Sequence, residues 1–204
     1  MTGCFEKYSI PQALAGAMAR FRGDRRGVAA TEFILFLPIM LVLGFGLAEV
    51  YVEHATEDQF LRFVHQSGDL LAREPTLTSA EITTIRNTST QMIKGFDANR
   101  TLAIQVSSIG FKADGTPVVL WNRTAGGTFA TPDPTDVTEM GFPADTVIRL
   151  EAKLNYTSPF NYVWESTARQ LTSVAFFRPR ETRAISMDGA ISETDPNWDY
   201  IPPE

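Results

Sequence analysis

The part of the chain that constrains its fold most is Gly27-Val-Ala-Ala-Thr-Glu-Phe-Ile-Leu-Phe-Leu-Pro-Ile-Met-Leu-Val-Leu-Gly-Phe-Gly-Leu-Ala-Glu49. The 21 residues from Val28 to Ala48 include one charged residue, Glu32. As an α-helix they would extend over about 31 Å at ~1.5 Å per residue, close to the ~30 Å hydrocarbon core of a bilayer. We therefore predict a transmembrane helix over residues 28–49, with Glu32 at the inner interface.

Charge is distributed unevenly around this helix. Residues 1–27 hold five basic and two acidic residues, a net charge of +3. The whole chain holds 18 basic and 24 acidic residues, so the remainder holds 13 and 22 and carries −9. Because basic residues before a span stay in the cytoplasm, residues 1–27 are predicted to be a cytoplasmic leader and the acidic body to be exported. The acidic body also argues against a nucleic-acid partner, since phosphate binding needs clustered Lys and Arg.

Few side chains suggest chemistry. The one cysteine, Cys4, lies in the leader, so neither a disulfide nor a cysteine metal cluster is expected within the chain. His54 and His65, with Asp58 between them, lack a third firm ligand and are interpreted as exposed polar residues. Nucleophile-elbow, phosphate-loop, dinucleotide-binding and zinc-protease motifs are all missing from the sequence. We predict that the protein is not an enzyme and needs no cofactor.

Three fates of the apolar stretch are compatible with the sequence. It is an uncleaved signal anchor, a secretory signal peptide, or a helix whose leader is removed at Gly27. Gly46-Leu47-Ala48 has the small-x-small pattern of a signal-peptide cleavage site. The long leader and the position of Pro38, ten residues before Ala48, disfavour that second fate.

The third fate is favoured by a resemblance. Residues 27–49 are similar to the N-terminal signature of TadE/TadG-like proteins, which are pseudopilins and associated proteins of tight-adherence pilus systems. As in prepilins, Gly27 closes a basic leader, and Glu32 would stand fifth in the mature chain, followed by Phe33. The resemblance implies cleavage by prepilin peptidase between Gly27 and Val28. Thr31 departs mildly from the family, which usually has an apolar residue before the glutamate.

The resemblance also implies a function and a location. It implies a minor pilin or a pilin-like assembly protein, single-pass in the bacterial inner membrane, with its C-terminal domain periplasmic or incorporated in an extracellular pilus. Its implied partners are prepilin peptidase, other tight-adherence pilins, inner-membrane assembly proteins and the lipid bilayer. The alternative is an uncleaved bitopic anchor with a periplasmic binding domain in the same secretion system.

Glu32 and Pro38 have physical roles that do not depend on the resemblance. An ionisable group in a membrane segment is costly and marks function. Cleavage would give Val28 a free α-amine four residues from Glu32 on the same helix face, so the amine of one subunit could pair with Glu32 of its own or a neighbouring subunit and set the register of assembly. The alternative is that Glu32 reaches the cytoplasmic interface unpaired. Pro38 has no N–H and crowds the carbonyl of Ile34, so we expect a kink or local unwinding, although membrane helices tolerate prolines.

The exported body is predicted to begin as an amphipathic extension of the helix. Its apolar positions at helical spacing continue to Glu74-Pro75 and are Val50, Phe60, Leu61, Val64, Leu70 and Leu71. Thr78-Ser-Ala-Glu81 is typical of a capping box, so a second helix is predicted from there to about Gly95.

Alternating residues then predict a small antiparallel sheet. Leu102–Phe111 and Val118–Trp121 flank the turn Asp114-Gly115 and form a hairpin, and a long loop covers residues 124–144. Thr146–Tyr156 is predicted as a strand with one wet face, and Gln170–Phe177 as another strand. The sheet core is predicted to contain the aromatic residues Trp121, Tyr156, Tyr162, Trp164, Phe176 and Phe177.

The predicted fold class is therefore α+β. A long N-terminal transmembrane helix with an amphipathic extension leads into a small, mainly antiparallel β-sheet domain within residues 50–190. Residues 191–204 are rich in proline and polar residues, so an irregular tail is predicted there. A pilin-like arrangement of these parts is implied by the resemblance and by analogy with pilin folds.

Overall fold

A computed structural model of the chain describes residues 26–93, 101–157, 169–195 and 197–199. The chain divides into two compact units, Met1–Gly46 and Leu47–Glu204. The predicted leader lies outside the described residues except for its last two positions. The predictions for Gly95, Tyr162 and Trp164 also fall outside them.

The first helix, α1, extends over Arg26–Leu71 and continues through Pro38. The local unwinding expected at Pro38 is not observed. Proline removes one N–H donor from the helical ladder, and the hydrogen bonds of the flanking turns remain available to hold the helix. A bend at Pro38 without loss of helical structure stays a prediction.

The second unit is an α+β domain with one small antiparallel sheet. The sheet has four strands in the order β3-β2-β4-β5, and every neighbouring pair is antiparallel. A short parallel pair, β1 with β6, was not predicted from the sequence. After α1 the elements are β1 (Thr76–Leu77), α2 (Ser79–Met92), β2 (Thr101–Phe111), β3 (Pro117–Ala125), a 3-10 turn (Pro134–Val137), β4 (Thr146–Tyr156), β5 (Arg169–Phe177) and β6 (Ser186–Met187).

The C-terminal half of α1 packs on the core through a narrower stripe than predicted. Val50, Leu61 and Leu70 are exposed, so their assignment to the apolar face was wrong. Successive residues of a helix are about 100° apart around its axis. Each of these three residues is next in sequence to a buried residue and therefore points away from the core. From residue 60 onward the buried positions instead follow the i, i+3, i+4, i+7 spacing of one face and are Phe60, Phe63, Val64, Ser67, Gly68 and Leu71.

Gly68 allows α1 to approach the sheet closely. A Cβ atom at this position would overlap the ring of Phe177, the last residue of β5. Phe177 is half-buried and also receives the edge of the His65 ring, with 6.3 Å between ring centroids. A larger residue at position 68 would therefore push the helix or the ring away from the sheet.

The predicted capping box at the start of α2 is confirmed. The Thr78 hydroxyl accepts from the backbone N–H of Glu81 at 3.3 Å, and the Glu81 carboxylate accepts from the backbone N–H of Thr78 at 2.8 Å. The helix ends at Met92, three residues before the predicted end. Ile82 within the helix and Ile93, directly after it, are buried in the core.

The β2–β3 hairpin is also confirmed, with a longer second strand. Gly115 has φ of +79° in the turn, a conformation that glycine adopts without strain. The pairing continues to Ile104 with Ala125, so the predicted loop over residues 124–144 starts two residues later and contains the 3-10 turn. The register shifts once, between Ser108 and Ile109.

The prediction that β4 has one wet face is wrong for its first half. Residues 146–150 are all buried. One face packs in the main core, and the loop before β4 covers the other. There, Val137 and Val147 join a second apolar cluster, and the Arg149 guanidinium lies 3.4 Å from the Asp136 carboxylate.

The aromatic residues divide between the core and its margin. Trp121 is buried, and its indole N–H donates to the Ile185 carbonyl at 2.8 Å. Tyr156 is buried, whereas Phe176 and Phe177 are half-buried. The described residues of the predicted tail contain no helix or strand, yet Trp198 is 3% exposed and packs in the main core. The tail is therefore part of the domain in packing terms.

Candidate membrane and assembly segment

The sequence-predicted site residues Gly27, Val28, Glu32, Phe33 and Pro38 all lie on the exposed surface of α1 in the first unit. From Val28 to Phe45, the large apolar side chains are between 38% and 70% exposed. They cover all sides of the helix. A helix that is apolar all round is unsuited to water and is normally covered by lipid or by other helices.

This segment is long and apolar enough to cross a membrane. Only 6% of its most apolar window is buried, so the segment is not the core helix of a soluble domain. A signal sequence near an N-terminus has the same length and composition.

Gly27 has no packing reason to be glycine. A Cβ atom added there would meet no atom within 4 Å, and its backbone is in an ordinary helical conformation. Glycine in a helix is about 1 kcal/mol less favourable than alanine. The described residues thus supply no packing reason for glycine at this position.

Thr31 satisfies its hydroxyl within the helix. The Thr31 Oγ1 donates to the Val28 carbonyl at 2.8 Å. Such a bond to the preceding turn lets a threonine sit in an apolar helix without a partner from outside. The Thr31 hydroxyl therefore needs no partner from outside the helix.

Glu32 differs from Thr31 in this respect. Among the residues that the structure describes, none forms an ion pair or a hydrogen bond with the Glu32 carboxylate. The helix places Glu32 one turn after Val28 on the same face. A carboxylate on an otherwise apolar surface is therefore available to pair with a cation. If the chain were cleaved after Gly27, the new α-amine of Val28, one helical turn away, would be such a cation.

The second unit contains a polar feature that sequence reasoning missed. Glu49 is 8% exposed, and among the described residues its buried Oε2 atom has no hydrogen-bond partner. The buried hydroxyl of Tyr156, at the end of β4, has none among them either. Burial first, and then the negative charges of Glu49 and Glu57, raise the pKa of the Tyr156 hydroxyl. The sequence shows Glu49 only as an acid after the apolar run, because its burial depends on the sheet.

His54 and His65 do not form a common site. His54 lies 4.0 Å from the Glu57 carboxylate at the surface, and His65 packs against Phe177. In ranges 26–93, 101–157, 169–195 and 197–199, no three His, Cys, Asp or Glu side chains are grouped as a metal site would need. The structure offers no arrangement there for metal chemistry.

No protein-family model, curated protein or solved structure matches this chain. A functional interpretation must therefore start from its own residues. Those residues are an exposed apolar helix, with one carboxylate near its start that has no partner in the described part of the chain, and an α+β domain that follows it in the chain.

Proposed function

We propose that this protein is a minor pilin, or a pilin-like assembly protein, of a tight-adherence type pilus. Residues 28–49 anchor it in the bacterial inner membrane with residues 1–27 in the cytoplasm and the acidic body outside. The observation that carries the proposal is the combination of an exposed apolar helix with the carboxylate of Glu32, five residues after Gly27, which has no partner among the described residues. Its resemblance to the TadE/TadG-like signature lies in these same residues.

Prepilin peptidase is the proposed processing enzyme. Cleavage after Gly27 removes the basic leader and leaves the α-amine of Val28 at the start of the helix. Gly27 has no packing role among the described residues, which supports this assignment, because the peptidase and not the fold would then need the glycine. A signal-peptidase cut after Ala48 is disfavoured, since it would fall inside α1, beside the buried Glu49.

Glu32 sets the register in the assembled pilus. Within a low-dielectric bundle of apolar helices, an unpaired carboxylate is strongly unfavourable, and pairing it with the Val28 amine of a neighbouring subunit removes that penalty. One axial stagger between neighbours satisfies this pair. Pro38 gives the helix a position where it can bend as subunits pack.

The register role is tested by Glu32→Gln, which keeps the shape of the side chain and removes its charge. We expect normal cleavage but a loss of about tenfold or more from the pilus fraction, because a neutral amide pairs weakly with an ammonium group in a low-dielectric bundle. The measurement is immunoblotting of sheared pili against the membrane fraction. The control is Thr31→Val, which replaces the adjacent hydroxyl that is already satisfied within the helix. Equal incorporation of Glu32→Gln and wild type would refute the register role.

A further inference from the structure

The loop before β4 presents two large apolar side chains at the surface of the body. Phe142 is 73% exposed, and Met140 is 40% exposed. Aromatic side chains dominate the energetics of cores and interfaces, so one that projects from an acidic body is a candidate anchor for a partner. We call the exposed side chain of Phe142 the knob.

The turn that carries the knob is fixed to the sheet. The Ala144 N–H donates to the Phe111 carbonyl at 2.8 Å. The Asp145 N–H donates to the Phe142 carbonyl at 3.0 Å. Ala144 also has φ of +64°, a left-handed conformation that is uncommon for alanine. Because the turn is already ordered, the knob would lose little conformational entropy on binding.

The helix layer of the body contains an apolar cleft between the end of α1 and the first half of α2. Its volume is about 250 Å³, and an apolar cavity of ~150 Å³ is already large enough to bind benzene. The α1–α2 cleft is lined by the buried Leu71 and Leu77, the half-buried Ile85 and the exposed Leu70. A phenylalanine side chain therefore fits it in both size and polarity.

We propose that the knob of one copy of this chain docks in the α1–α2 cleft of a second copy. The contact joins two different surfaces, so each copy keeps a knob or a cleft for a further copy. Repeated contacts of this kind form a ring if the rotation closes and an open filament if it does not. The inference goes beyond the proposed function, because it holds equally for an uncleaved membrane anchor.

The positions of the two surfaces allow neighbouring copies to point in the same direction. The two helices cover one face of the sheet, and the loop that carries the knob covers the other. Both surfaces lie at the end of the sheet where β5 finishes. There, the Arg178 guanidinium donates to the Met140 carbonyl beside the knob. The Arg180 N–H donates at 2.9 Å to the Ala72 carbonyl, directly after the cleft.

This arrangement suits copies that share one membrane or one pilus. A second copy that is displaced sideways, without being turned over, brings its cleft to the knob of the first copy. Both copies then keep the same orientation, so their apolar N-terminal segments are parallel and can enter the same bilayer.

The charges around the two surfaces match in part. Arg178, beside the knob, is 60% exposed, and the Glu74 carboxylate at the cleft forms no ion pair with a described residue. A guanidinium has five N–H donors, so Arg178 can keep Asp145 at 3.6 Å and still reach a second carboxylate. The exposed Glu139 beside the knob opposes this attraction. Burial of the phenyl ring therefore supplies most of the binding free energy.

The size of the contact defines where it forms. One aromatic side chain buries ~150–250 Å², far less than the ~1,200–2,000 Å² buried in a stable complex of free proteins. Tethering raises the effective concentration to the millimolar range and makes such a weak contact effective. We therefore expect docking between tethered copies and not between free bodies in solution.

The test uses two differently tagged full-length chains, produced together and cross-linked in membrane fragments, both with Cys4→Ser to remove the native thiol. One chain carries Glu139→Cys beside the knob. The other carries Thr84→Cys at the cleft or, as a matched control, Thr124→Cys, an exposed threonine of β3 outside the cleft. With a short bis-maleimide, we expect roughly tenfold more mixed dimer from Thr84→Cys, because docking raises the effective concentration of the two thiols.

Equal yields of mixed dimer from Thr84→Cys and Thr124→Cys, or no mixed dimer from either, would overturn the proposal. If Thr84→Cys is cross-linked to a different protein and gives no mixed dimer, a second copy is not the occupant of the cleft.

Substitution of the knob separates docking from random collision. In the Glu139→Cys chain, Phe142→Ser removes the phenyl ring and should reduce the mixed dimer about fivefold or more. Phe142→Leu keeps a large apolar side chain and should retain most of the yield. Phe142 is exposed, so folding should survive both changes, which tryptophan fluorescence would check. A Phe142→Ser variant that folds and cross-links as well as Phe142→Leu would refute docking through the knob. This outcome would leave cleavage at Gly27 untouched.

Discussion

The two parts of α1 use apolar residues in opposite ways. From residue 28 to 45 the apolar side chains surround the helix and are exposed, whereas from residue 56 to 71 the buried side chains form one stripe. Phe36 is 55% exposed and Phe63 is 1% exposed, although both are phenylalanines of the same helix. Hydrophobic content therefore does not decide burial in this chain. Burial instead follows the distribution of apolar residues around the helix axis. A stripe of apolar residues can pack against one neighbouring element, whereas a helix that is apolar on all sides needs lipid or several helices around it.

The largest expected effect comes from truncating one phenylalanine in each part. Phe63→Ala should lower the free energy of unfolding of the body by about 3–5 kcal/mol, because it leaves a cavity in a close-packed core. Phe36→Ala should change it by less than about 0.5 kcal/mol, since its side chain makes no core contact. The measurement is urea unfolding of the full chain in detergent, followed by tryptophan fluorescence, because all three tryptophans lie in the body. Similar losses for both variants would remove the distinction between the two parts of the helix.

Weaker contacts attach the C-terminal tail, from residue 191 onward, to the body. They give the free energy of unfolding a small dependence on pH. A hydrogen bond from Arg123, then its charge, lowers the pKa of the Glu193 carboxyl from 4.5. A lowered folded-state pKa gives stability above the unfolded value, and this stability is lost as the pH falls through the folded pKa. Because the pair is partly exposed, Glu193→Gln should cost only about 0.2–1 kcal/mol at pH 7.

The same substitution should matter less in acid. The difference between Glu193→Gln and wild type should shrink as the pH falls through the lowered pKa of the Glu193 carboxyl, because the wild-type carboxyl then also becomes neutral. Urea unfolding at several pH values measures it, and Glu181→Gln, at an exposed residue outside this pair, is the control. A difference that grows as the pH falls would contradict the assignment.

Local patterns in the sequence predicted the elements well, and long-range contacts explain what they missed. The capping box at Thr78 and the turn at Gly115 depend only on residues close in sequence, so both could be predicted. The burial of Trp198 depends on a sheet assembled from distant strands, and so does the covered face of β4 at Arg149. No local signal distinguishes these residues from exposed ones.

The candidate site shows the same division. The exposed apolar helix and the position of Glu32 could be predicted, because both follow from composition and spacing. The burial of Glu49 could not, since Tyr156 is more than a hundred residues away in the chain. Under the proposed function, the partners of Gly27 and Glu32 are other molecules, which neither the sequence nor the fold of one chain can show.

The central claim is that the apolar helix is separated from its basic leader at Gly27. The most direct test is N-terminal sequencing of the protein purified from its native host, repeated in cells that lack prepilin peptidase. We expect the mature chain to begin at Val28 in the first case and to retain its leader in the second. A mature chain that keeps residues 1–27 in both cases, or that begins at Glu49, would contradict the account.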